Sequence, residues 1–120
     1  MSDEFFPKRP EVCPTIYAYR DLNSQYAGLL KVGYTTVGVQ KRVAQQYPTL
    51  RPGRLPYEIV VEESAVRDDG SSFADHDVHR LLRKRKFRNP EGEWFACEAG
   101  DVRAAVLALP AYWLAAPGTS

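Results

Sequence analysis

The residues of this chain that carry reactive or charge-binding chemistry fall into a few groups. Arg42, with Lys41 before it, lies in the run LLKVGYTTVGVQKRV from Leu29 to Val43. A guanidinium is a planar fork that grips two phosphate oxygens, which makes Arg42 a phosphate-binding candidate. A solvated helix arginine would look the same in sequence. A phenol and an ammonium, Tyr17 and Lys31, sit in two neighbouring apolar runs. Asp75 and His79 stand four residues apart, so their side chains become neighbours if the segment is helical. A basic block, Arg80, Arg83, Lys84, Arg85, Lys86 and Arg88, follows the acidic Glu62, Glu63, Asp68, Asp69, Asp75 and Asp77. The formal net charge is only +1, yet this segregation, joined by Lys41 and Arg42, creates a local positive field suited to a polyanion. A solvated helix end, where cations favour the C-terminal dipole, is the competing reading.

Each group needs an element to hold it. Thr15 to Arg20, TIYAYR, alternates as a strand does, with Ile16 and Ala18 on one face and Tyr17 and Tyr19 on the other. A polar connection of hairpin length, Asp21 to Ala27, leads into a second strand, Gly28 to Val32. If Leu30 and Val32 share the core face with Ile16 and Ala18, Lys31 projects to the side of Tyr17 and makes a polar site beside a core. Gly33 opens a turn, Thr35 or Thr36 can cap the next helix, and Val39, Val43 and Tyr47 form its buried stripe around Gln40 to Tyr47. Arg42 lies on the flank of that stripe. Pro48 to Pro56 reads as loop and adds Arg51 and Arg54; Tyr57 to Glu63 reads as a third strand. Ala65 to Ser72 is a polar turn, with Ser72 capping a helix from Phe73 to about Arg85 whose stripe is Ala74, Val78, Leu81 and Leu82. Asn89 to Gly92 breaks the chain before Glu93-Trp94-Phe95-Ala96-Cys97, a short apolar segment packing back on the sheet. A last helix, Asp101 to Leu109, is stopped by Pro110.

With 120 residues the chain suits one domain around one core. We read residues 1–13 as an irregular arm, 14–109 as the domain and 110–120 as a tail. No apolar run approaches the ~20 residues of a membrane span and no signal pattern opens the chain, so a cytoplasmic setting is expected. The two cysteines, Cys13 and Cys97, form no CxxC and read as small buried residues. A zinc site would have to join them to His76 and His79, where only the His-x-x-His spacing is close, so zinc has little support; another metal stays open.

In order and spacing these pieces resemble the GIY-YIG endonuclease superfamily, in particular the divergent branch first recognised in a bacteriophage open reading frame. The first motif stands here as Thr15-Ile16-Tyr17 and the second as Lys31-Val32-Gly33. Arg42 matches the helix arginine, and a later helix reads D-x-x-x-H-x-x-L before EWF. The resemblance spans about Pro14 to Leu109 and is most similar to N-terminal nuclease domains of bacterial helicases of restriction or phage-defence type, which implies a helicase region in a longer polypeptide. It implies an α/β fold of α+β kind: a small three-stranded antiparallel sheet flanked by helices. It also implies DNA as partner and phosphodiester hydrolysis with one divalent cation, Mg²⁺ or Mn²⁺. Lys31 replaces the tyrosine that opens the second motif in better-known members, so that role passes to Lys31, to Tyr34 or to nothing. Asp75 stands where the metal-binding glutamate usually does, one methylene shorter.

Under that resemblance the roles can be argued physically. A phosphodiester needs a nucleophile, charge stabilisation at phosphorus and help for the leaving oxygen. Tyr17 would act as general base or orient water, with Lys31 acidifying a phenol whose ordinary pKa is about 10. Arg42 would hold a non-bridging oxygen, and His79 would relay a proton or orient Asp75. Asp75 would hold the metal, with Glu93 contributing to the same site because its segment is anchored by Trp94 and Phe95. Tyr34, Lys41, Arg83, Lys84 and Arg85 are the expected nucleic-acid contacts. Two rivals remain. One is a binding module that has lost cleavage and uses Tyr17, Tyr19 and Trp94 to stack bases; the other is a protein-interaction domain with an aromatic surface.

Overall fold

Strand β1 (Thr15–Asp21) is an inner strand of the sheet, and its alternation divides the molecule. Ile16 and Ala18 enter one apolar cluster and Tyr17 and Tyr19 the other, and all four are buried because both faces of the strand are covered. The computed structural model describes residues 13–47, 53, 55–67 and 70–115. Residues 1–12 of the expected arm, Arg51, Arg54, Asp68 and Asp69 lie outside them.

Strand β2 (Leu30–Thr35) pairs antiparallel with β1, setting Tyr17 opposite Gly33 and Tyr19 opposite Lys31. Leu30 and Val32 join Ile16 and Ala18 in the first cluster, the shared face that the alternation predicts. The β1–β2 connection contains a single 3-10 turn, Ser24–Tyr26, whose Gln25 N–H donates to the Asn23 side chain. Strand β3 (Tyr57–Ser64) flanks β1 on its other side, with a register shift at Ala18 and Tyr19.

The domain is α+β, but among the described residues its sheet has five antiparallel strands rather than three, in the order β3-β1-β2-β5-β4. The added strands are β4 (Arg88–Glu91) and β5 (Trp94–Ala96), a hairpin built from the stretch expected to be a chain break and a packed segment. Strands of three and four residues show no readable alternation. What makes the hairpin is local: Gly92 takes a positive φ of 47°, and Asn89 Nδ2 donates to the carbonyls of Gly92 and Trp94. Pro90 is tolerated because β4 is the sheet edge.

Among the described residues, three helices cover the sheet. Helix α1 (Val39–Ala44) buries Val39 and Val43 against the tyrosines, and single turns continue it to Tyr47. Gly38 rather than a threonine precedes it; Thr35 Oγ1 instead accepts the Val37 N–H and shapes the approach. Helix α2 (Asp75–Lys84) packs Val78, Leu81 and Leu82 on the aliphatic face, with Ala74 half-buried. Its cap is not Ser72, which pairs with Val66; the Asp77 carboxylate accepts the Ala74 N–H at 3.1 Å. Helix α3 (Ala99–Ala115) sends Val102, Ala105, Val106 and Leu109 into the same core. Pro110 does not stop it, and the helix runs on to Ala115. Among the described residues no helix is long and apolar enough to cross a membrane.

Candidate active site

The face of the sheet beneath α1 is where the chemistry gathers. The end of the Tyr17 ring lies over Gly33: a Cβ built there would be 2.5 Å from the Tyr17 Cζ and hydroxyl oxygen. The glycine of Lys31-Val32-Gly33 is therefore needed for close approach. Beside it Gln46, in the turn after α1, ties three groups together. Its Nε2 donates to the Tyr17 hydroxyl oxygen at 3.0 Å, while its Oε1 accepts from the Tyr19 hydroxyl at 2.8 Å and from the Lys31 ammonium. Lysine only donates, so the amide oxygen must face Lys31 and the amide nitrogen must face Tyr17. The Tyr17 hydroxyl is thereby an acceptor towards Gln46, and its own proton is not spent on that bond.

Lys31 is further paired with Glu93, at 3.8 Å, and lies 6.0 Å from the centre of the Tyr19 ring. Tyr47 donates to Asp21 at 2.6 Å and stacks on Tyr57. Burial pushes the Tyr19 phenol up to about 12; burial, then the bond to Asp21, pushes Tyr47 up as well. Both keep their protons near neutral pH. Arg42 is exposed on α1, where its guanidinium makes a long contact of 3.4 Å to Gln45, and Lys41 is exposed beside it.

On the other face, α2 brings Asp75, His76 and His79 together, with one ligand atom of each within 4.8 Å of the others. His79 is 4 % exposed, deeper than the stripe border its position suggested, and its Nε2 lies 2.8 Å from the Val32 carbonyl oxygen. The Val32 N–H donates to the Glu93 carbonyl. Residues 31–33 of β2 are thus the hub: Lys31 holds Gln46 and Glu93, Val32 holds His79, and Gly33 carries the Tyr17 ring.

The other expected residues divide. The Glu93 carboxylate is not in the Asp75 group; it turns to Lys31. Tyr34 packs against the aliphatic core, opposite Tyr17, as its even place in β2 dictates. Arg83 Nε donates to Asn89 at 3.0 Å and the guanidinium lies 5.7 Å from the centre of the Phe95 ring, so it clasps the hairpin to α2. Lys84 and Arg85 are exposed at the helix end. Tyr17 and Tyr19, each 2 % exposed, are too buried to stack on bases; Trp94 instead stacks on Tyr26 at 4.6 Å. Gln46 is the residue that the sequence does not betray, since a glutamine in the pair Gln45-Gln46 carries no signal of its own.

A small α+β domain with a buried phenol, an ammonium and an exposed helix arginine on one side, and a carboxylate with two imidazoles on the other, has the donor set of a nuclease-like protein. The chain belongs to the T5orf172 domain family, whose model matches residues 15–109. This is a phage-open-reading-frame type of nuclease-like domain, consistent with a function on nucleic acid. No curated protein and no solved structure matches the chain.

Proposed function

We propose that this chain is a metal-dependent endonuclease domain of GIY-YIG type that hydrolyses DNA phosphodiesters with Mg²⁺ or Mn²⁺, in the cytoplasm and in a restriction or phage-defence setting. The observation that carries the reading is the Tyr17–Gln46–Lys31 link on the α1 face, with Arg42 exposed on the same helix. Tyr17, held as an acceptor by Gln46, uses the O–H that this bond leaves unspent to orient the attacking water. Lys31, kept in place by Gln46 and Glu93, offsets negative charge growing on the phosphate, and Arg42 grips its non-bridging oxygens.

On the same face Glu93, paired with Lys31 at 3.8 Å, is the carboxylate that would hold the divalent cation; Asp75 stands across the sheet, one turn from an imidazole locked by the Val32 carbonyl, away from the phosphate that Arg42 grips. When bound, such an ion would stabilise charge on the leaving oxygen.

The test is incubation of the purified chain with plasmid and with single-stranded DNA, with Mg²⁺, Mn²⁺ or a chelator. Nicking that needs metal and disappears in Arg42→Ala is the expected result. Salt-sensitive binding without cutting would return the chain to a binding module, and the absence of both would overturn any role on DNA.

A further inference from the structure

Both histidines of the chain stand on one turn of α2 beside a carboxylate. The sequence contains 2 histidines, so any imidazole signal from this protein reports that turn alone. Asp75, His76 and His79 occupy positions i, i+1 and i+4, and one ligand atom of each lies within 4.8 Å of the others. His79 is prepared as a ligand. A carbonyl only accepts, so the contact to Val32 places the proton on Nε2 and leaves the lone pair of the neutral ring on Nδ1. A backbone carbonyl on the second nitrogen is the arrangement that orients metal-binding imidazoles, and the ring is steadied by Phe95, 5.2 Å away between centroids.

The His76 ring meets that of His79 nearly at right angles, 87°, with centroids 6.3 Å apart. Metal–ligand bonds of about 2.0–2.2 Å bring donors to about 3.0–3.5 Å from one another. Closing the set from 4.8 Å asks for a rotamer change of the exposed His76 and the half-buried Asp75, not of the locked His79. Asp77 is not a competing ligand, because its carboxylate caps Ala74 and pairs with Arg67 and Arg80.

We infer that Asp75, His76 and His79 form a mixed nitrogen and oxygen site for a first-row transition-metal ion of the Co²⁺, Ni²⁺ or Zn²⁺ kind, in preference to Mg²⁺. The inference goes beyond the nuclease reading, because this site stands on the face of the sheet away from Tyr17, Lys31 and Arg42. Mg²⁺ takes oxygen ligands and keeps its waters, whereas imidazole nitrogen favours the later divalent ions. Three protein ligands leave positions open for water or a phosphate oxygen.

The experiment uses the full chain carrying Cys13→Ser, which removes the exposed thiol, stripped with a chelator. Co²⁺, Zn²⁺ and Mg²⁺ are titrated by calorimetry, and the imidazole resonances are followed by NMR. We expect a single equivalent of Co²⁺ or Zn²⁺ bound more tightly than Mg²⁺ by a factor on the order of 100 or more. Paramagnetic Co²⁺ should broaden or shift the signals of both histidines. His76→Ala and Asp75→Asn, checked for folding by circular dichroism, should each weaken Co²⁺ binding by about tenfold or more. Such binding without DNA cleavage in any metal would support the site while overturning the nuclease reading. Mg²⁺-dependent cleavage that survives His76→Ala, with Co²⁺ bound no more tightly than Mg²⁺, would overturn the site and leave the nuclease reading standing.

Discussion

The same strands build two faces that differ in almost every respect. Towards α2 and α3 the sheet presents Ile16, Ala18, Leu30, Val32 and Phe95, and helix residues such as Leu82, Val106 and Leu109 complete an aliphatic core. Towards α1 it presents Tyr17, Tyr19 and Tyr57, backed by Val39 and Val43 and bordered by Tyr47 and Trp94. The aliphatic face removes apolar area from water without polar atoms to satisfy, which is worth ~1.5–3 kcal/mol for each large side chain fully buried. The phenolic face also buries large rings, but it keeps hydroxyls that demand partners. Two of those hydroxyls donate inward, Tyr19 to Gln46 and Tyr47 to Asp21, whereas Tyr17 accepts from Gln46. Strand alternation thus separates the part of the fold that supplies stability from the part that holds reactive groups. His79 is the exception, a polar side chain on the aliphatic side that reaches the backbone of β2.

The sharpest way to test that division is to remove a group that belongs to neither core. Arg42→Ala should reduce plasmid cleavage to background while the thermal midpoint stays near wild type, because the side chain is exposed. Arg42→Lys should not restore it, since lysine lacks the planar fork. Near wild-type cutting by Arg42→Ala would mean that the α1 face is not the active face.

Leu82→Ala tests the opposite side. It should cost about 2–5 kcal/mol in urea unfolding, with cleavage by the folded fraction unchanged. A large loss of activity at full folding would show that the two faces are not separable.

Gln46→Glu is a finer probe. The new carboxylate keeps the bonds from Lys31 and Tyr19 but can only accept from Tyr17, reversing the direction of that bond. Cleavage should fall by about tenfold, the scale for losing a group that orients another, with the thermal midpoint held. Unchanged activity would remove Tyr17 orientation from the mechanism.

The basic helix end should affect binding rather than turnover. Neutralising Lys84 and Arg85 should flatten the salt dependence of DNA affinity by about one unit of slope for each phosphate that no longer meets a cation. Adding Arg83→Gln should also loosen the β4–β5 hairpin, because Arg83 holds Asn89 and covers Phe95. An unchanged slope would make the block a solvated helix end.

The smallest effect expected is with alkali. The Tyr19 phenol is pushed up from 10.0 to about 12 by burial, so the folded state retains a proton that the unfolded state loses first. That contribution is fully present below pH about 10 and disappears as pH rises through about 12. Urea midpoints should therefore decline across that window, and Tyr19→Phe should make the decline shallower. An identical decline in Tyr19→Phe would assign it to other groups.

Much of this arrangement is written in local periods. Alternation alone places Ile16, Ala18, Leu30 and Val32 on one face and Tyr17 and Lys31 on the other, and the helical period puts Val78, Leu81 and Leu82 inside while leaving Arg42 out. Tyr34 falls with Leu30 and Val32 because β2 runs on to Thr35, past the Val32 and the Gly33 turn at which the sequence suggests it ends, so its distance from the phenolic face was not legible. The β4–β5 hairpin was not, because strands of three and four residues are too short to show a period. Nor was Gln46, which lies 29 residues from Tyr17 and 15 from Lys31 in the chain. The turn of Glu93 to Lys31 and the bond from His79 to the Val32 carbonyl belong to the same class. Each depends on which strands become neighbours and in what register. A period says which way a side chain points; only the assembled sheet decides what it meets there.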